Sequence, residues 1–332
     1  MDYALIWYIL IAIAVFAYVI LDGFDLGIGI LFISADSTKE RDLMMNSIAP
    51  VWDGNETWLV LGGGGLFAVF PLAYAVVMPA LYAPIMIMLL GLIFRGVAFE
   101  YRFRTKRGQF LWDSSFFIGS LMATFTQGMI LGTLLQGVTV TDRAYSGGWF
   151  DWFTPFSLYC GFVTVAAYMT LGACWLLIKM PHGMHERFYV IAKRCALIMV
   201  VMVGILSLWL PLGNEVIADR WFSFPQAFLF LLIPGCSAYL VYLLFKDLME
   251  HKPVQAYLVV LGLFFLAFLG FGVSTYPYIV PHAITYADAA APDTSLKFLL
   301  SGAVFLLPLI IAYTAYSYWV FRGKLKEDEG YH

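Results

Sequence analysis

Residues 4–32 read ALIWYILIAIAVFAYVILDGFDLGIGILF. A helix of roughly 20 mostly apolar residues crosses a bilayer. This run exceeds that length with only two charges, Asp22 and Asp25, both toward its C-terminal end. The same texture continues through the chain. Of 332 residues, 62% are hydrophobic and 12% charged, against roughly a quarter charged in an ordinary soluble domain. A soluble fold of this length cannot hide that much apolar surface, so the chain reads as an all-α polytopic membrane protein.

About nine apolar runs reach spanning length: Ala4–Phe32, Glu56–Val76, Ala80–Glu100, Ser114–Gln136, Pro155–Lys179, Ala192–Leu212, Pro225–Phe245, Ala256–Val280 and Leu296–Phe321. Gly62-Gly63-Gly64-Gly65 lowers helix propensity in the second. The connections are short, and no composition shift, internal repeat or low-complexity tract divides the chain. Residues 1–332 are therefore expected to form a single integral membrane domain. Met1-Asp2-Tyr3 carries no basic residue, so the first run is expected to be a retained helix rather than a cleaved signal.

Lys and Arg orient such a chain. With nine spans, one set of alternate loops holds Lys39, Arg41, Arg102, Arg104, Lys106, Arg107, Lys179, Arg187, Lys193, Arg194, Lys246, Lys252, Arg322, Lys324 and Lys326. The other set holds only Arg143, Arg220 and Lys297, and Arg95 falls inside a span. This asymmetry predicts an N-terminus outside and a C-terminus in the cytoplasm. Tyr, Trp and Phe make up 18% of the chain and fit interfacial belts without indicating a substrate.

Several functions are disfavoured. A net charge of −3 supplies no basic stripe for nucleic acid. Cys160, Cys174, Cys195 and Cys236 lie in or beside apolar runs, in no C-x-x-C pair, and read as small hydrophobes rather than a disulfide or zinc framework. His182, His185, His251, His282 and His332 all fall in loops or at the C-terminus. A membrane haem normally takes a His from a helix, so the chain is expected to ligate no haem and no metal. The 14 Met are scattered and read as packing residues.

Chemistry is expected where ionisable groups lie inside the membrane. Asp22 and Asp25, at i,i+3, share one face of the first helix. Asp53 and Glu56, again at i,i+3, stand at the cytoplasmic start of the second. Arg95 and Glu100 stand toward the cytoplasmic end of the third. Three consecutive helices thus bring these carboxylates and a guanidinium to a similar depth, an arrangement suited to passing protons.

Structural readings stand beside these. Asp53-Gly54-Asn55-Glu56 also fits a helix start, with Asp53 as N-cap and Glu56 reaching back as in a capping box. Arg95 also fits an ion pair with Asp25 or Glu100, and Asp22 a position solvated at the interface. The four-glycine run lacks the Lys-Ser/Thr of a phosphate loop and fits close helix packing. Trp58 either lines a path or packs. Tyr276-Pro277-Tyr278 and Pro281-His282 read as an outer helix end.

Two stretches resemble a known family. Asp22-Gly23-Phe24-Asp25-Leu26-Gly27-Ile28-Gly29 is similar to the first-helix signature of subunit II of cytochrome bd-type quinol oxidases, a family that includes cyanide-insensitive members. Asn46-Ser47-Ile48-Ala49-Pro50-Val51-Trp52-Asp53-Gly54-Asn55-Glu56-Thr57-Trp58-Leu59-Val60 is similar to its second-helix signature. Phe94-Arg95, the Tyr-Pro-Tyr helix end and the run from Tyr313 to Arg322 support the resemblance, which covers the whole chain. The connection Gly213–Phe224 is shorter than in some members, and Glu56 and Thr57 stand where others carry different residues.

The resemblance implies one subunit of a respiratory oxidase in the bacterial cytoplasmic (inner) membrane. Quinol is oxidised, O₂ is reduced to water, and protons come from the cytoplasm. Two haems b and one haem d belong to the partner, subunit I. Subunit II shares its fold, two four-helix bundles plus one peripheral helix, and supports assembly. The matching proton-path positions are Asp25 and Asp53, joined by Glu56 and Asp22, with Arg95 and Glu100 as a supporting ion pair. Trp58 matches a position of oxygen access. A small single-helix subunit, membrane lipids and a structural quinone or lipid are the further partners implied. Two rival classes remain: a proton-coupled secondary transporter, which predicts paired broken helices from repeats, and a scaffold whose carboxylates tolerate substitution.

Overall fold

The computed structural model describes residues 1–105, 107–181, 183, 185–224 and 226–325. Among these residues thirteen α-helices follow one another: α1 (Tyr3–Leu31), α2 (Thr38–Asn46), α3 (Trp52–Val69), α4 (Pro71–Ala80), α5 (Tyr82–Arg102), α6 (Gln109–Gln136), α7 (Pro155–Lys179), α8 (His185–Gly213), α9 (Glu215–Phe222), α10 (Gln226–Met249), α11 (Pro253–Thr275), α12 (Tyr286–Ala289) and α13 (Asp293–Val320). Two short antiparallel hairpins interrupt them, β1 (Val140–Thr141) with β2 (Ala144–Tyr145), and β3 (Tyr278–Val280) with β4 (Ile284–Thr285).

Among the described residues, eight helices are long and apolar enough to cross a membrane: α1, α5, α6, α7, α8, α10, α11 and α13. The run expected as a single span over Glu56–Val76 is instead two helices, α3 and α4, broken at Phe70. Pro71 is the physical reason. It has no N–H to continue the ladder and restricts the residue before it, so it ends α3 and opens α4 from the first helical position. The expected end of the eighth run also moves. α11 stops at Thr275, and the chain turns into β3 and β4 before α13. The short connection at Gly213–Phe224 holds α9, capped by the Asn214 side chain.

Helix starts are built from local chemistry. Asp2 accepts from the Leu5 amide at 2.9 Å and caps α1. Thr154 and Ser157 form a reciprocal capping box ahead of α7, with Pro155 at its first position. In the β1–β2 turn, Asp142 and Arg143 take positive φ, as a two-residue hairpin requires.

Helices α1, α3, α5 and α6 pack as one group, and α7, α8, α10 and α11 as a second. The groups join where α7 meets α1 and α6, and α13 lies at the edge against α1 and α3. At the α1–α7 crossing the backbones touch. A Cβ on Gly27 would collide with the Tyr168 carbonyl, and one on Gly172 would fall 2.7 Å from the Ile28 nitrogen. Below the crossing, Phe24 stacks on Trp175 at 4.4 Å within a core that also takes Met44, Met45 and Phe116. This close packing holds the polar end of α1 rigidly against its neighbours.

Candidate functional site

Asp22 and Asp25 are both fully buried. Asp22 is therefore not solvated at an interface, because its side chain turns inward to the buried Arg95 of α5. Arg95, from α5, is fully buried too, and its fork reaches two carboxylates. Nη1 donates to Asp22 Oδ1 at 2.6 Å, and Nη2 donates to Glu56 Oε1 of α3. The Trp52 ring lies 5.8 Å from the guanidinium and stacks in parallel on Phe99 at 4.7 Å. Glu56 keeps 26% of its side chain exposed and is the member of the group nearest the surface.

Asp25 is held by a different set. Asn55 Nδ2 donates to Asp25 Oδ2 at 2.7 Å and to the Leu21 carbonyl at 3.1 Å. The Tyr318 hydroxyl, from α13, donates to Asn55 Oδ1 at 3.0 Å. Among the described residues, no group hydrogen-bonds Asp25 Oδ1, Asp22 Oδ2 or Arg95 Nε. One turn up α1, Tyr18 accepts from Gln127 Nε2 at 2.7 Å, and Gln127 Oε1 accepts from Tyr168 at 2.9 Å.

Of the residues singled out from the sequence, Asp22, Asp25, Glu56 and Arg95 come together. Two do not. Glu100 is exposed and pairs with Arg104 at 3.6 Å, one turn along the same helix, so the expected Arg95–Glu100 ion pair is replaced by Arg95–Asp22 and Arg95–Glu56. Asp53 is exposed in the first turn of α3. The buried face of α3 runs through Asn55, Trp58 and Gly62, at helical spacing that carries Asp53 off it. The expected capping box is absent as well. Val51 takes the N-cap position without a side-chain bond, and Glu56 is engaged by Arg95.

Trp58 is buried with Ala14 and Tyr18, and its indole N–H has no partner among the described residues. The four-glycine run packs only in part. Gly62 faces Val15 and Gly65 faces Ile11, whereas Gly63 and Gly64 face open space. Asn55, Tyr318, Tyr18 and Gln127 escape a search for charged groups because they are neutral. The one local hint for Asn55 is its place between Asp53 and Glu56 in the first turn of α3. Tyr318 lies 263 residues away, beyond any local pattern.

Three carboxylates facing one guanidinium carry more negative than positive charge in a dry setting. Uncompensated buried charge is costly, so protons are the natural counterions, and a group of this kind can take up and hand on a proton. Haem ligation is a poorer fit. His251 lies in the turn after α10, near Glu186, and His282 lies in the β3–β4 loop, both outside spanning helices. No group of three or more His, Cys, Asp or Glu among the described residues could hold a metal. His182, His332, Lys106, Lys326 and the side chain of His185 lie outside the described residues, as does Pro225 at the start of the expected seventh run.

A family profile described as cytochrome bd terminal oxidase subunit II matches residues 3–321. The chain belongs to the cytochrome bd terminal oxidase subunit II family. It is 30% identical to cytochrome bd-I ubiquinol oxidase subunit 2 of Escherichia coli K12, over 98% of this chain and 95% of that one. It is 28% identical to cytochrome bd ubiquinol oxidase subunit 2 of Bacillus subtilis, over 98% and 97%. A chain of the bd oxidase structure from Geobacillus thermodenitrificans superposes with a TM-score of 0.79 at 17% identity, covering 97% of this chain and 99% of that one, which shows the same fold. As a member of this bd oxidase family the chain is one subunit of a haem-containing respiratory complex, works beside a subunit I, and is a multi-pass membrane protein. The transporter reading gives way to this assignment.

Proposed function

We propose that this chain is the subunit II that supplies a proton route, and oxygen access, to a bd-type quinol oxidase. Quinol oxidation and reduction of O₂ to water take place on the partner subunit I, which carries two haems b and one haem d. Water formation consumes protons inside a dry protein, and the supporting observation is the buried group of Asp22, Asp25 and Glu56 around Arg95. Asp53, exposed at the start of α3, is the outer acceptor from the cytoplasm. Glu56, partly exposed, and then Asp25 and Asp22 carry the proton inward, toward haem d. Trp58, buried one turn beyond Asn55, is the position for oxygen access. Glu100 keeps a surface role with Arg104.

The chain lies in the bacterial cytoplasmic (inner) membrane with its N-terminus outside. The α3–α4 pair acts as one crossing, which keeps the fifteen-to-three division of basic residues between the two faces. A small single-helix subunit and a structural lipid or quinone fit the broad apolar face that α13 leaves exposed.

Gentle purification of the tagged chain, with an absorption spectrum and identification of co-purifying chains, tests the assignment. Haem bands with a second large subunit are expected. A colourless lone protein would contradict it. Within the complex, Asp53→Asn is expected to slow steady-state quinol oxidation tenfold or more with haem content unchanged. Full turnover in a haem-replete Asp53→Asn variant would remove Asp53 from the route.

A further inference from the structure

We infer that Asn55 and Tyr318 are positioning residues for Asp25, forming a clamp that fixes which carboxylate oxygen exchanges the proton. The inference rests on the assignment of Asp25 to the proton route. Asn55 Nδ2 donates to Asp25 Oδ2 at 2.7 Å, and Asn55 is itself almost wholly buried. Tyr318 donates to Asn55 Oδ1 at 3.0 Å. An amide presents one acceptor oxygen and one donor nitrogen, and these two bonds fix which end faces Asp25. The second amide bond, to the Leu21 carbonyl at 3.1 Å, locks the same orientation from the backbone of α1.

The series of hydrogen bonds from Tyr318 through Asn55 to Asp25 is not a proton wire. Its middle member is an amide, which passes no proton while keeping its tautomer. What it does instead is hold Oδ2 as a permanent acceptor and leave Oδ1, which has no partner among the described residues, as the oxygen that takes and releases the proton. A donor such as Asn55 Nδ2 bonds an ionised carboxylate more strongly than a neutral acid. The groups facing Asp25 from the elements around it are Asp22 of α1, Glu56 of α3, Arg95 of α5, Tyr257 of α11 and Tyr318 of α13. Of these, Tyr318 reaches Asp25 through Asn55. It ties the edge helix α13 to the buried site.

The test uses the intact two-subunit oxidase, with haem content measured beside quinol oxidase turnover as a function of pH. Asn55→Leu keeps the branching and heavy-atom count of the side chain and removes its donors, and Tyr318→Phe removes one hydroxyl. The ionisation that disappears from the profile in Asp25→Asn is expected to move upward by about one to two pH units in Asn55→Leu, the size expected for a lost hydrogen bond to a charged group. A smaller upward move is expected in Tyr318→Phe. Because the clamp acts through Asp25, adding either substitution to Asp25→Asn should slow turnover no further.

Three results would count against it, and they differ. Full turnover in haem-replete Asp25→Asn overturns the proton-route assignment and this inference with it. Slow Asp25→Asn beside unshifted profiles in Asn55→Leu and Tyr318→Phe overturns the clamp alone. Effects that add to Asp25→Asn also overturn the clamp alone, leaving both residues as packing. If Asn55→Leu loses haem, Tyr318→Phe decides by the same criteria.

Discussion

Arg95 shows what a single side chain does in this site. From a fully buried position it donates to Asp22 and Glu56 on two other helices, and its planar fork matches that task in a way an ammonium cannot. Removing one partner of a buried ion pair leaves an uncompensated charge and typically costs about 3–5 kcal/mol. Arg95→Gln is therefore expected to lower the thermal midpoint of the purified complex sharply and reduce its haem content. Arg95→Lys keeps the charge but serves one carboxylate at a time, so its midpoint should fall between the two. A wild-type midpoint in Arg95→Gln would show that the three carboxylates need no guanidinium. The charged members of this group were legible in the sequence, because an ionisable residue in an apolar run stands out. Asn55 and Tyr318 were not, because neutral polar residues are common in such runs and only the three-dimensional contact gives them a role. Glu100 was expected beside Arg95 and pairs with Arg104 instead, for a related reason. Sequence gives the depth of a residue along its helix, and the face it takes is decided by packing.

Helix crossings set the site's geometry. Gly27 and Gly172 let α1 and α7 touch backbone to backbone, which small residues permit in lipid. Gly27→Ala places a methyl against the Tyr168 carbonyl, and neither backbone can yield without moving a helix. A loss of about 1–3 kcal/mol is expected, as for other overpacked cores, read as a lower thermal midpoint. Gly204→Ala in α8, where an added Cβ meets nothing, is the matched control and should fall within about 0.5 kcal/mol of wild type. Equal losses at both positions would mean the crossing carries no special constraint. The spans α1, α5, α6, α7, α8, α10 and α13 were readable from apolar length alone. The break between α3 and α4 was written in Pro71, yet the surrounding hydrophobicity outweighed it in a count of apolar residues. The β3–β4 hairpin was hidden in the same way, because Tyr278, Ile279 and Val280 are as apolar as the helix they follow.

The whole molecule is a pair of four-helix groups with α13 at the edge, and beside α1 lies a largely buried polar cluster that opens to the surface at Glu56. Its orientation makes a direct prediction. A reporter fused after the last residue should be active only on the cytoplasmic face, and one in the β1–β2 turn, at Asp142-Arg143, only on the outer face. The reverse pattern would place the carboxylates on the wrong side for proton uptake. Asp25 is proposed to deliver protons for O₂ reduction. This proposal is tested most directly by following proton uptake when the fully reduced, haem-replete complex carrying Asp25→Asn reacts with O₂ in a single turnover. O₂ binding is expected to keep its wild-type rate while proton uptake slows at least about tenfold. Proton uptake at the wild-type rate would contradict it.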